Sequence, residues 1–167
     1  TVDDFADKLN RDGVDAIHIV DHGEEFNHDV YAQAVTQLYD ELAPQYVVTP
    51  NSVNGLDYAP AVANELDLPV VTDTVDLEAD GETLVATREM YGGKVETTTE
   101  LEGDAVVTIR GAEWPAAEGT GDAAIEAFDV DIDEETVGST VTGFEEVGGG
   151  DVDIREADLL VSVGRGI

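Results

Sequence analysis

Only seven lysines and arginines stand against 39 aspartates and glutamates in this chain, so each retained cation marks a place where an anion is to be held. Arg88 and Lys94 lie in Arg88-Glu89-Met90-Tyr91-Gly92-Gly93-Lys94. Arg110 lies in Thr108-Ile109-Arg110-Gly111-Ala112-Glu113-Trp114-Pro115, and Arg165 in Val161-Ser162-Val163-Gly164-Arg165-Gly166-Ile167. A guanidinium presents a planar fork of donors that pairs with a carboxylate or a phosphate. Arg88 and Arg110 are expected to hold internal carboxylates such as Asp73 or Glu118. Gly164-Arg165-Gly166 follows an apolar run, and an arginine between glycines at the carboxyl end of a strand can approach a pyrophosphate closely. Tyr91-Gly92-Gly93-Lys94 reads as a hairpin turn, because Gly-Gly supplies positive φ, with a salt bridge at Lys94.

Other constellations carry less. His18, His22 and His28 are the only imidazoles, and their spacing does not make a metal site, which wants helical i, i+4 pairs or a third ligand. Asn51-Ser52-Val53-Asn54-Gly55-Leu56-Asp57 opens a helix after a strand. Its free amides suit either a phosphate or a simple cap by Asn51, Ser52 or Asn54, and Asp57 puts negative charge where a phosphate would sit. It is neither a Gly-x-Gly-x-x-Gly loop nor a P-loop. Glu134-Glu135 and Glu145-Glu146 are background in so acidic a chain, and no nucleophile–base pair stands out.

The formal net charge of −32 over 167 residues opposes a compact state in dilute salt. An apolar fraction of 42% in periodic runs nevertheless argues for a folded core. A lysine-poor acidic surface fits a halophilic protein, since molar salt shortens the Debye length to roughly 3 Å. It also excludes nucleic-acid binding by phosphate neutralisation. There is no cysteine, and no apolar run reaches the ~20 residues of a membrane span. A soluble cytoplasmic protein is expected.

The elements that must position these residues alternate. Helical spacing covers Val2 to Asn10, with Val2, Phe5, Ala6 and Leu9 on one face, and Ala16 to Val20 is a strand. A helix over His28 to Ala43 turns Val30, Ala34, Val35, Leu38 and Leu42 inward, and Pro44 stops it. Tyr46 to Thr49 is a strand, Leu56 to Leu66 a helix and Val70 to Thr72 a strand, the signature of a parallel sheet. Beyond Thr72 the chain turns β-rich. Strands flank Asp80-Gly81 within Asp76 to Arg88, followed by Val95 to Leu101 and Ala105 to Arg110. Period-two alternation over Ile125 to Ile132, Val137 to Val147 and Asp158 to Val163 predicts further strands, with Gly148 to Gly150 as a joint. The fold class is α/β, a parallel sheet with an added antiparallel part.

In order along the chain, these stretches resemble the alpha subunit of electron transfer flavoprotein, of a haloarchaeal type. Gly13 to His22 is similar to its early strand, and Gly55 to Ala63 to its G-R-D-L-A-P-R-L-A helix, with Leu56 where the family has Arg. Thr72-Asp73 fits its S-D, Arg88 to Lys94 its R-P-x-Y-G-G-N/K, and Thr108 to Glu118 its T-x-R-x-x-x-F-P-P-A-E. Gly148 to Gly150 and Ala157 to Ile167 fit the segment that enters the FAD domain, with Val163 where the family has the first Gly of G-G-R-G.

The resemblance implies a three-layer, adenine nucleotide hydrolase-like domain over residues 1–147, a linker over 148–157 and the first strand of an FAD domain over 158–167. It implies an electron carrier and not an enzyme. Such a subunit pairs with a beta subunit and relays electrons from dehydrogenases, as in fatty acid beta-oxidation, to a quinone oxidoreductase. FAD would be held mostly by residues beyond Ile167, with Gly164, Arg165 and Gly166 as the cofactor contacts of this chain and no role for AMP. Asp73, Arg88, Tyr91, Gly92, Gly93, Lys94 and Arg110 would be structural or interface residues. A stand-alone small-nucleotide module, binding near Ser52 to Leu56, is the alternative, and a ligand-free interaction module a third. The family's first strand and helix are expected upstream of Thr1, and its FAD domain downstream of Ile167. Sequencing the flanking coding DNA checks this: a Gly-rich α/β continuation supports the resemblance, and a stop codon after Ile167 favours the nucleotide module.

Overall fold

The structure, a computed structural model, describes residues 2–81, 83–145 and 158–164. Helix α1 (Val2–Leu9) leads to strand β1 (Ala16–Ile19), helix α2 (His28–Leu42), strand β2 (Tyr46–Pro50) and helix α3 (Val53–Glu65). Strands β3 (Val70–Asp80), β4 (Thr83–Met90), β5 (Val95–Glu102) and β6 (Ala105–Ile109) follow, then a 3-10 turn at Gly111–Glu113 and strand β7 (Ala124–Ala127). The expected α/β class is observed. The strands form a five-stranded sheet ordered β2-β6-β3-β4-β5 and a separate parallel pair, β1-β7.

Helix α3 shows how the large sheet is covered. Gly55, Ala59, Val62 and Ala63 are its buried residues, a spacing that makes one helical stripe. Small side chains let the helix sit close on Val106 of β6, with Val35 and Val47 beside it. The opposite face of the sheet carries no helix residue in its cluster. Val71, Leu84, Ala86, Leu101, Ala105 and Val107 pack together there, joined by Tyr46, Leu77 and Ile109, so the long hairpins supply the cover themselves.

Strand β3 is longer than the sequence reading, which ended one strand at Thr72 and began another at Asp76. It runs parallel to β6 from Val70 to Thr74 and antiparallel to β4 from Thr74 to Asp80, with register irregularities on both sides of Thr74. Thr74 is fully buried and pairs with both Ile109 and Arg88.

Five expectations are corrected. On α1 only Ala6 is buried, against Ile17 and Ala123, while Val2, Phe5 and Leu9 are exposed, with Lys8 Nζ 5.7 Å from the centroid of the Phe5 ring. Leu42 of α2 is exposed as well. Of the alternating run Ile125 to Ile132, only its first residues pair, within β7. The described residues 128–145 form no strand, because the backbone from Asp131 to Ser139 is held instead by side chains of α2. Gln37 donates to Asp131 O at 2.9 Å and accepts from Asp131 N at 2.9 Å, and Gln33 accepts from Asp133 N at 2.8 Å. Asp29 accepts from Gly138 N at 2.8 Å and Asn27 donates to Ser139 O at 2.9 Å. Residues 158–164 form no strand either; Leu159, Leu160, Val161 and Val163 are exposed with no neighbouring strand to pair with. Gly148 to Gly150 lie outside the described residues.

The start of α3 sets a sharp steric limit. A Cβ on Gly55 would fall 1.9 Å from Pro50 O and 3.1 Å from Pro50 C, both backbone atoms that cannot swing away. Gly55→Ala is therefore expected to destabilise the fold by about 2 kcal/mol or more, read by urea unfolding in molar KCl. An unchanged midpoint would show that α3 does not seat on Pro50 as described.

Candidate functional site

The carboxyl ends of β2 and β6 meet β3, where it leaves its parallel run, in one polar cluster. Asn51 follows β2, Asp73 sits in the irregular part of β3, and Thr108 and Arg110 lie at the end of β6. Thr108 Oγ1 donates to Asn51 Oδ1 at 2.7 Å and accepts from Asp73 N at 2.9 Å. Asn51 Nδ2 donates to Asp73 Oδ1 at 2.9 Å, which closes a ring of three residues. Thr74 Oγ1 donates to Thr108 O at 2.9 Å. Every polar group here that β3 turns toward β6 thus finds a partner, as buried polar groups require.

Arg110 completes the cluster. Its Nε donates to Asp73 Oδ1 at 3.0 Å and its Nη2 to Asp73 Oδ2 at 2.8 Å, a bidentate pair. Its Nη1 donates to Glu89 Oε2 at 2.7 Å and lies 3.8 Å from Glu113 Oε1. Asp73 reaches this geometry at φ +60°, in the left-handed region that Asp tolerates better than most residues. The hydrogen bonds from Arg110 hold the Asp73 carboxyl below the usual carboxylate range, against a smaller upward push from partial burial; the charges of Arg110 and Arg88 add to the lowering. Three carboxylates surround one guanidinium, so the cluster is a closed ion lock and not an open anion pocket.

The expected partnership of Arg110 with Asp73 is present, whereas Glu118 is not a partner of either arginine. Arg88 differs from expectation: no carboxylate pairs with it among the described residues, and its Nε is buried without a hydrogen-bond acceptor. Strand alternation turns Arg88 with Leu84 and Ala86 away from Glu89, which explains why Arg110 captures the glutamate alone. Tyr91, Gly92 and Gly93 all take positive φ, and Lys94 N donates to Met90 O at 3.2 Å to close the turn. Lys94 itself is exposed and has no ion pair among the described residues.

The histidines are scattered. His18 meets Phe128 edge to face, His22 Nε2 lies 3.4 Å from Glu134 Oε1, and His28 Nδ1 lies 3.4 Å from Asp57 Oδ1. Among the described residues no group of three His, Asp or Glu could hold a metal ion. At the α3 start, Ser52 Oγ caps Gly55 N at 3.1 Å, so that amide is already satisfied. A Cβ built on Gly164 would meet no atom within 4 Å, and Arg165 and Gly166 lie outside the described residues. Sequence reasoning missed the roles of Asn51, Thr74, Glu89 and Thr108. For Asn51, Thr74 and Thr108 the signal is the polar run where β2 and β6 end and where β3 leaves its parallel part: Thr49-Pro50-Asn51, Thr108-Ile109-Arg110 and Thr72-Asp73-Thr74.

A family model for the electron transfer flavoprotein domain matches residues 1–133. The chain belongs to the electron transfer flavoprotein family. It is 34% identical over 169 residues to electron transfer flavoprotein subunit alpha of Methylophilus methylotrophus, covering 99% of this chain and 52% of that one. It is 28% identical over 168 residues to the same subunit of Syntrophomonas wolfei, covering 99% and 53%. It is also 27% identical over 171 residues to subunit LctC of a lactate dehydrogenase (NAD(+),ferredoxin) from Acetobacterium woodii, covering 97% and 40%. The chain spans about half the length of the curated relatives it matches. In this electron transfer flavoprotein domain, the S-D and T-x-R motifs are the two halves of the Asp73–Arg110 lock.

The lock makes a pH prediction. A folded-state pKa below the unfolded one, about 3.9 for Asp, contributes stability above the unfolded value and loses it as pH falls through the folded value. The stability difference between wild type and Asp73→Asn in molar KCl is expected to be constant from pH 7 to about 5 and to shrink below pH 4. A difference that does not change down to pH 2 would mean that Asp73 carries no depressed pKa.

Proposed function

We propose that this chain is the N-terminal part of an electron transfer flavoprotein alpha subunit, and that it scaffolds the alpha/beta heterodimer and the FAD domain. The observation that carries the reading is the match to alpha subunits over 99% of this chain and about half of theirs. On this reading residues 1–147 are the α/β domain, 148–157 a linker and 158–167 the entry to the FAD domain. Gly164, Arg165 and Gly166 then face the cofactor, and FAD supplies the redox chemistry when bound. The exposed apolar run Leu159 to Val163 fits a strand that pairs only when the rest of that domain is present.

The part played by this chain is positional and not catalytic. The Asp73–Arg110–Glu89 lock fixes the β4–β5 hairpin to the end of the parallel sheet. The partners are a beta subunit, dehydrogenase donors, including those of fatty acid beta-oxidation, and a quinone oxidoreductase acceptor. No helix among the described residues is long and apolar enough to cross a membrane. The setting is a cytoplasm of high salt, where a charge of −32 is screened.

The test is co-expression of the complete alpha subunit with its beta subunit in molar KCl. One FAD per heterodimer, reduced by a dehydrogenase donor, is the expected result. The isolated 167-residue chain is expected to be colourless. A flavin-loaded isolated chain would overturn the assignment of the cofactor to the remaining half, and absence of any complex with the beta subunit would overturn the scaffold reading.

A further inference from the structure

The start of α3 holds a reactive pair that its local structure keeps closed. Asn10, Asn27, Asn51, Asn54 and Asn64 are the five asparagines of the chain, and Asn54 alone precedes a glycine. Asparagine is among the chemically labile residues. A following glycine, with no side chain in the way, lets its main-chain nitrogen reach the asparagine side-chain carbon most easily. The glycine cannot be exchanged to protect the pair, since a Cβ on Gly55 would fall 1.9 Å from Pro50 O. Asn54 is exposed to solvent, whereas Gly55 is buried. Two hydrogen bonds hold the junction: Gly55 N donates to Ser52 Oγ at 3.1 Å, and Leu56 N donates to Ser52 O at 2.9 Å.

We infer that Asn54–Gly55 is a latent deamidation site and that Ser52 keeps it closed. In the reaction Gly55 N loses its proton to solvent hydroxide and attacks Asn54 Cγ. The new N–C bond closes a succinimide ring, and the side-chain nitrogen takes a proton from solvent and leaves as ammonia. Water then opens the ring at either carbonyl, giving aspartate or isoaspartate, and nothing is oxidised or reduced. The folded helix denies two requirements of ring closure. The Gly55 proton is committed to Ser52 Oγ. The Asn54 backbone must leave helical ψ, which the bond from Leu56 to Ser52 holds. Reaction therefore runs through opening of the first turn of α3, and helix ends open far more often than a whole fold. The isoaspartyl product adds a methylene to the main chain where Pro50 O leaves no room for a methyl, so the turn cannot reseat unchanged. Asn51, just upstream, bonds Asp73 and Thr108, so the damage reaches the polar cluster.

The measurement is formation of aspartate and isoaspartate at residue 54, by peptide mapping of the complete protein in molar KCl at mildly alkaline pH. The folded wild type is expected to convert Asn54 slowly, and the urea-unfolded chain to convert it ahead of the other four asparagines. Ser52→Ala is expected to speed conversion in the folded protein about fivefold, the factor by which losing such a cap raises the opened population. Ser52→Thr, which also caps, is expected to stay near wild type. Amide hydrogen exchange of the wild type gives a test that needs no variant. The slowing of deamidation on folding is expected to match the protection of the Gly55 amide and to fall short of that of Val106 and Val107 in β6. Equal rates in folded and unfolded wild type would overturn the inference, as would equal rates in wild type and Ser52→Ala. Slowing that matches the β6 amides instead would assign the reaction to global unfolding and overturn the guard as well.

Discussion

Strand β3 has to serve two neighbours of opposite direction, and the Asp73–Arg110 pair is what allows it. Upstream of Thr74 the strand follows β6 in parallel; downstream it follows β4 in antiparallel. The two ladders space their hydrogen bonds differently, so one residue has to leave the register where they meet. Asp73 does so at positive φ, which costs a non-glycine residue on the order of 1 kcal/mol. The two bonds donated by Arg110, the one donated by Asn51 and the one that the Asp73 amide donates to Thr108 offset that cost. The same guanidinium reaches Glu89, so the hairpin arm is anchored by the residue that makes the change of direction possible.

The charge of the chain sets a second constraint on how distant parts are joined. The two sheets share no strand, and the segment after β7 runs along α2 to connect them. That segment is acidic, with Asp129, Asp131, Asp133, Glu134 and Glu135, and α2 opposite carries Asp29, Asp40 and Glu41. Ion pairs would need cations that this chain lacks. Neutral amides do the joining instead: Gln33, Gln37 and Asn27 bond to backbone groups, and Asp29 contributes only an acceptor to Gly138 N. Hydrogen bonds from neutral amides depend little on screening, so this connection changes little with salt.

Most of the elements were legible because their causes are local. The helix expected over Leu56 to Leu66, observed as Val53–Glu65, and the turns at Gly81 and Gly103 follow from spacing and glycine alone. The errors share one cause, which is that pairing and burial need a second element that a local pattern does not name. Val137 to Val147 alternates like a strand, yet among its described residues the backbone bonds go to Asp29 and Asn27. Val2, Phe5 and Leu9 make an amphipathic face that stays exposed among the described residues. At the site the pairing of Arg110 with Asp73 was legible from scarcity of cations. The positive φ of Asp73 was not, because it arises where β3 passes from its ladder with β6 to its ladder with β4, and its partner Thr108 lies 35 residues away in the chain. The same scarcity misled for Arg88, which makes no ion pair among the described residues although its charge acts on Asp73.

The exposed surface argues that this domain is built to be covered. The exposed apolar side chains among the described residues include Val2, Phe5 and Leu9 on α1, Met90, Tyr91 and Val95 on the hairpin, and Leu159, Leu160, Val161 and Val163. These lie on separate elements, so one partner contact does not account for them all. If the protein works in the molar salt proposed above, that solvent strengthens apolar association as it screens charge. Acidic side chains then keep the remaining surface hydrated, and the exposed apolar groups on α1, the hairpin and residues 159–163 are the ones that gain most from cover.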